Sequence, residues 1–352
     1  MDSVSQLALG ASLGIAVMGR RTAVWKAALW GGIAGTLPDL DVLLDHGDAV
    51  LNMVLHRGHS HSLLWTALAG ALLGLCAAWF HGQWQLRWRW SVALLIAMVT
   101  HPLLDALTIY GTQLLQPFTD TAYGTGSMFI IDPLYTLPLL AGVLIALRRP
   151  QHAGLRSNTA LLTLSTLYLG WSLVAQAWAT EQVRHSLAAQ GIAAQTLMVT
   201  PAPLNTLLWR AVAVDGSHYY EGYYGLLDGK RPVRWVAHAR GQDLIELHSA
   251  HPHVQRMQRF TDGLLRLRMQ DGHLWLTDLR MGQEGGYVFD FDLGPPLTAG
   301  AAIPPAVQHS SRLALGESLQ WLWARMWGAD LPMLGPNVLK ISAETIPAHR
   351  RP

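Results

Sequence analysis

The sequence predicts an α-helical polytopic membrane domain of about six spans, residues 1–180, followed by a β-rich module, residues 185–352. Three observations lead to this class. Hydrophobic residues make up 51% of the chain and charged residues only 14%, against about 25% charged in an ordinary soluble domain. Several apolar runs reach the roughly 17–25 residues that a membrane-crossing helix needs. Beyond residue 185 the charge rises and short alternating segments replace the long apolar runs.

Taken in order, 4–19 and 22–37 are short and rich in glycine and alanine, a composition that fits buried core helices but also suits close helix packing in a bilayer. Segment 62–80 carries no charge, 90–109 carries only His101 and Asp105, 128–147 only Asp132, and 159–179 none. If these six segments alternate across the membrane, one side collects Arg20, Arg21, Lys26, Arg87, Arg89, Arg148, Arg149 and Arg156, and the other only Arg57. The positive-inside rule makes the basic loops cytoplasmic. The module then lies outside the cytoplasm. Within it, 207–214, 226–239, 244–248, 264–269 and 287–293 read as strands, with turns at Asp215-Gly216, Asp228-Gly229 and Asp271-Gly272. Segment 317–328 reads as an amphipathic helix with three tryptophans, suited to a membrane surface.

Composition also excludes. A net charge of +2 with no basic run argues against nucleic acid as a partner, and membrane lipid is the partner expected. The single cysteine, Cys76, rules out an intramolecular disulfide and a cysteine-based zinc site. Asp2 stands where a signal peptide would carry its basic region, so none is expected.

Polar residues then punctuate the apolar sequence at Pro38-Asp39-Leu40-Asp41, His56-Arg57-Gly58-His59-Ser60-His61-Ser62, His101-Pro102-Leu103-Leu104-Asp105 and Asp132-Pro133. Ionisable groups inside membrane-length apolar sequence are expensive and by default mark function. In the six-span topology all four motifs fall at the outer leaflet, which favours one site. His101 and Asp105 share a helix face one turn apart and can chelate one ion. Pro38 lets Asp39 and Asp41 leave the second span in a turn, although a solvated helix terminus has the same pattern. Gly58 allows a tight turn presenting His56 and His61. Arg57 can bind a phosphate with its planar fork or pair with Asp41 or Asp45. His59 is a further possible ligand. Asp132 suits a helix cap, a ligand, or a residue supporting one. Imidazoles with carboxylates are the ligand set of hydrolytic zinc or two-metal centres. His248, His251 and His253 read as a solvated loop.

These ordered motifs, LPDLD, HRGHSHS and HPLLDALTIYGTQLLQPF followed by an acid opening a further span, resemble the LexA-regulated, membrane-bound family of metal-dependent hydrolases in bacterial inner membranes. The resemblance is close over about residues 1–150 and extends into the module through Thr200–Asn205, Trp209-Arg210 and 278–282. It implies Asp39, Asp41, His56, His61, His101 and Asp105 as functional positions, with His59 at a variable one. A fainter similarity links Asp41, His56 and His101–Asp105 to the zinc-dependent phospholipase C and single-strand nuclease group, whose further downstream ligands have no match here.

The expectation is a hydrolase with one or two divalent ions, zinc by ligand type. Asp39 or Asp105 would accept a proton, and Arg57 would hold the head of an amphiphilic phosphoester. A metal or proton transporter is the alternative, as is a sensor or scaffold with a structural metal. A transporter would place polar residues along the whole membrane depth, whereas the inner halves of these spans are nearly bare.

Overall fold

The computed structural model describes residues 1–297, 302–311 and 315–334. The part of the module expected at 335–352 lies outside these described residues. The chain divides into two compact units, Met1–Ala177 with Thr200–Thr206, and Trp178–Val199 with the chain from Leu207 on.

The first unit is helical: α1 (Ser3–Met18), α2 (Val24–Thr36), α3 (Ala49–Leu55), α4 (Leu63–Phe80), α5 (Arg87–Asp105), α6 (Pro133–Arg148) and most of α7 (His152–Ala189). The carboxylate of Asp2 starts α1 by accepting from the backbone N–H groups of Val4 and Ser5. Small residues let α1 and α2 meet backbone to backbone: a Cβ on Gly10 would lie 2.2 Å from the Gly31 carbonyl oxygen. Likewise, a Cβ on Gly74 of α4 would lie 2.3 Å from the Ser91 Cα of α5. Trp90, Leu94, Ile15 and Met18 fill the core between these pairs.

Where the sequence reads as six spans, two helices among the described residues have both the length and the apolarity of a membrane crossing, Leu63–Phe80 and His152–Ala189. Helices α1 and α6 are apolar but have 16 residues each, about 24 Å at 1.5 Å per residue against a hydrocarbon core of about 30 Å. Polar residues shorten the elements at one end. Pro38 turns α2 into a 3-10 segment, Leu37–Leu43. Asp132 caps α6, so that helix starts at Pro133 rather than 128. The expected span 90–109 is helical only as far as Asp105.

The second unit is β-rich. One sheet has the order β1 (Thr196–Pro201), β2 (Leu208–Val214), β3 (His218–Gly225), β4 (Val236–Ala239). A second has the order β10 (Val307–His309), β9 (Asp290–Asp292), β6 (His273–Asp278), β5 (Leu265–Gln270), and β7 (Gly282–Gln283) pairs with β8 (Gly286–Tyr287). The turns at Asp215-Gly216 and Asp271-Gly272 join the antiparallel pairs β2–β3 and β5–β6. Both Asp271 (φ 52°) and Gly272 (φ 79°) are left-handed, the backbone of a type I′ hairpin.

Two expectations are corrected here. Segment 244–248 lies mostly in a short helix, α8 (Gln242–Leu247), followed by α9 (Pro252–Phe260). Segment 226–239 is a strand only at Val236–Ala239, because Leu226–Asp228 forms a 3-10 turn whose Asp228 carboxylate accepts from Gly225 N–H. The amphipathic segment is helical as α10 (Leu315–Met326).

Candidate metal centre

The centre is built from the ends of three elements. The turn after α2 supplies Asp39, the loop before α4 supplies His61, and the last turn of α5 supplies His101 and Asp105. His61, His101 and Asp105 are fully buried, while the Asp39 side chain keeps 21% of its surface exposed. One ligand atom from each lies within 4.8 Å of all the others. His101 Nε2 stands 3.1 Å from His61 Nε2, 3.3 Å from Asp39 Oδ1 and 3.4 Å from Asp105 Oδ2. His61 Nε2 is 3.3 Å from Asp105 Oδ2 and 3.5 Å from Asp39 Oδ1.

The far sides of the two rings decide what these atoms offer. His101 Nδ1 lies 2.6 Å from the Gly35 carbonyl oxygen, which can only accept, so this nitrogen carries the proton. That contact also satisfies one of the carbonyls left open at the end of α2. His61 Nδ1 lies 2.9 Å from Ser60 Oγ, whose own hydroxyl donates to Asp41 Oδ2 at 2.6 Å. Its proton is thereby fixed on Nδ1 as well. In the neutral rings, both Nε2 atoms therefore turn lone pairs toward each other and toward two carboxylate oxygens. Asp105 Oδ2, buried, accepts no hydrogen bond. Four converging lone pairs repel unless a cation lies among them, and imidazoles oriented from behind by a carbonyl or a carboxylate relay are the usual support of a metal site. This buried group can hold a metal ion, and among the described residues it is the only group of three or more His, Cys, Asp or Glu so arranged.

The surrounding charges are consistent with that reading. Burial alone would lower the His61 pKa, but hydrogen bonding to Asp105, Asp39 and Asp41 raises it to about 9. A cation entering the site must therefore displace a proton. Burial works in the opposite sense on the Asp41 carboxyl, yet contacts with His56, His61 and Ser60 hold it well below the usual carboxylate range.

Asp41 and His56, expected as ligands, stand one layer behind the four. Asp41 accepts from Arg57 N–H at 3.0 Å and Ser60 Oγ, and its Oδ1 lies 2.9 Å from His56 Nδ1. It orients the loop rather than joining the cluster. Arg57 is buried and adopts a left-handed backbone (φ 62°), unusual for a residue with a Cβ. Its guanidinium meets Asp105, not Asp41 or Asp45: Nε lies 3.4 Å from Asp105 Oδ2, Nη1 donates to Thr108 at 3.1 Å, and the group lies over the Tyr110 ring. His59 is exposed. Asp132 caps α6, accepts from the Tyr168 hydroxyl at 2.9 Å, and lies outside the cluster. In the second unit His251 caps α9 by accepting from His253 N–H.

Two contributors are absent from the sequence reading. Gln6 of α1 donates to Asp105 Oδ1 (3.1 Å) and to the His101 carbonyl (3.2 Å), and the Met1 ammonium also donates to Asp105 Oδ1. Gln6 was signalled by being a lone amide in an apolar helix.

A helical unit with buried carboxylates and imidazoles at the ends of its helices, continuing into a β-rich unit, defines a class of membrane protein with a candidate metal site. The chain belongs to the YdjM inner membrane protein family, whose model matches residues 1–179 and so includes every residue of the centre. It is also similar to the uncharacterized protein YfhP of Bacillus subtilis (strain 168), with 27% identity over 266 residues, 69% of this chain and 77% of that protein. No solved structure matches it.

Proposed function

We propose that the protein is a membrane-embedded, metal-dependent hydrolase that acts on an amphiphilic phosphoester at the outer face of the inner membrane, with expression under LexA control as the motif resemblance implies. The observation that carries this reading is the convergence of two bare imidazole nitrogens and two carboxylate oxygens in one buried cluster. A nitrogen and oxygen set without cysteine suits zinc in a hydrolytic role. When bound, such an ion supplies a Lewis acid that brings water ionisation toward neutral pH.

The chain's own groups supply the rest. His61 and His101 are held in fixed tautomers by Ser60–Asp41 and by Gly35. Asp39, the most exposed member, gives water and substrate their approach and can accept a proton. Arg57 keeps Nε free of any hydrogen bond beside Asp105, a donor available to a phosphoryl oxygen. Purified protein offered a panel of lipid phosphoesters is expected to release phosphate only with a divalent ion present, and to lose that activity with Asp39→Asn. Metal-loaded protein inert across the panel would refute the hydrolase.

The proposal includes a topology in which α1, α2, α4, α5, α6 and α7 all cross, leaving the centre and the β-rich module outside the cytoplasm. The eight-to-one split of basic residues supports it. A reporter fused after Arg149 should work only in its cytoplasmic form, and one after Gly191 only in its exported form. Identical compartments at both junctions would contradict six spans.

A further inference from the structure

We propose that the outer face of α10 seats the C-terminal module on an anionic phospholipid surface. Among the described residues, the helix is held by one side and bare on the other. On the held side Arg325 is buried, donates to Asp228 Oδ1 at 2.8 Å and to the Tyr223 carbonyl at 3.3 Å, and makes a second bond to the same carboxylate. Trp321 packs edge-on against the Tyr223 ring and donates to the Pro332 carbonyl at 2.7 Å. These contacts fix the rotation of the helix about its axis.

That rotation turns Leu315, Leu319, Trp323 and Trp327 outward, with 74%, 43%, 63% and 56% of their surfaces exposed. Residues four apart drift by only about 40° around an α-helix, so the four form one apolar stripe. Leu227, 56% exposed, extends it past Gly328: a Cβ there would lie 3.7 Å from the Leu227 Cβ. Large exposed apolar stripes of this kind mark an interaction surface.

The chemistry around the stripe selects the occupant. Lys230, Arg231 and Arg234 are exposed beside its C-terminal end, with Asp330 as the partner of the two arginines. Arg231 also donates to the Gly328 carbonyl at 3.1 Å, so the basic rim is tied to the helix. Arg231, Arg234, Trp235 and Asp330 line an open groove of ≈ 510 Å³. Tryptophan and leucine on one face with basic residues at its edge is the pattern of a helix lying in the headgroup region, where indole rings sit at the interface and cations meet lipid phosphates. A lipid surface is also close at hand, because the same chain belongs to an inner-membrane family, and tethering raises the effective concentration of a weak site. No residue of the metal centre takes part in this surface.

The full-length chain with Cys76→Ser, carrying a single nitroxide at Leu319→Cys, Leu315→Cys or Glu317→Cys, tests this in nanodiscs. The ratio of oxygen to nickel-chelate collisions reports whether each label lies in lipid or water. In nanodiscs containing phosphatidylglycerol, labels at 319 and 315 should show a several-fold higher ratio than the label at 317, on the polar edge. Phosphatidylcholine alone, Arg231→Gln with Arg234→Gln, or Trp323→Glu with Trp327→Glu should each lower the ratio at 319. Equal ratios at all three positions, or ratios at 319 that ignore lipid charge, would overturn the proposal. So would shielding from both reagents with spin–spin broadening that grows with copies per disc, which would make the stripe a contact between copies of the chain.

Discussion

The two units bury charge in opposite ways. In the β-rich unit each buried carboxylate has its own guanidinium. Asp278 is gripped by Arg280 through Nε at 3.0 Å and Nη2 at 2.7 Å, Glu221 by Arg210 Nε at 2.5 Å, and Asp228 by Arg325. The second Glu221 oxygen accepts from Glu284 N–H at 3.0 Å. In the helical unit, Asp39 and Asp105 face two imidazole nitrogens that neutral rings cannot turn into donors. The nearest guanidinium, Arg57, reaches Asp105 only at 3.4 Å and without a hydrogen bond from Nε. Matched pairs hold strands together and ask for nothing more. The other set brings imidazole nitrogens and carboxylate oxygens together without a guanidinium hydrogen-bonded to either carboxylate oxygen of the cluster and could hold a metal ion, and that difference separates a structural network from a candidate functional one.

Breaking a matched pair should have the largest effect on folding. Asp278→Ala leaves Arg280 buried without its carboxylate, a change that typically costs about 3–5 kcal/mol. Denaturation of the full chain, followed by hydrogen exchange of β5 and β6, should register that loss while bound metal is unchanged. A fall in metal content would mean that the two networks are not independent.

A somewhat smaller effect is expected at Arg57, which stands between the two kinds of network. Arg57→Lys keeps the charge beside Asp105 but loses the fork. Turnover should fall by up to about 2.7–4 kcal/mol of transition-state stabilisation, at constant metal content and thermal stability. Unchanged turnover with reduced stability would make Arg57 a counter-charge for Asp105, and the centre would then resemble the matched pairs more closely.

The four residues of the candidate cluster stood out in the sequence because ionisable residues are costly in apolar sequence and are kept there chiefly for function, although the same signal also pointed to Asp41 and His56, which lie outside the cluster. The four-residue spacing on a helix also fixes His101 and Asp105 on one face. The division of labour between Asp39 and Asp41 was not legible. It depends on the 3-10 turn after Pro38, whose tighter winding sends Asp39 to the rings of His61 and His101 and Asp41 to Ser60 and His56. Gly35 was equally hidden, since its contribution is a backbone carbonyl. In the second unit β3 escaped notice because its run of tyrosines is interrupted by Glu221, a charge that becomes tolerable only once Arg210 on β2 is placed beside it. The short helices α8 and α9 carry too few turns for periodicity to distinguish them from strands.

If the unmatched cluster holds a cation, elemental analysis of the chain purified without chelator will find it. One divalent ion per chain is expected, retained in Asp278→Ala and lost when His101 and Asp105 are both replaced by alanine in protein that still inserts into the membrane. Wild-type protein without a stoichiometric metal would show that the cluster holds no cation, and a double variant that keeps its full complement would place the ion elsewhere in the chain.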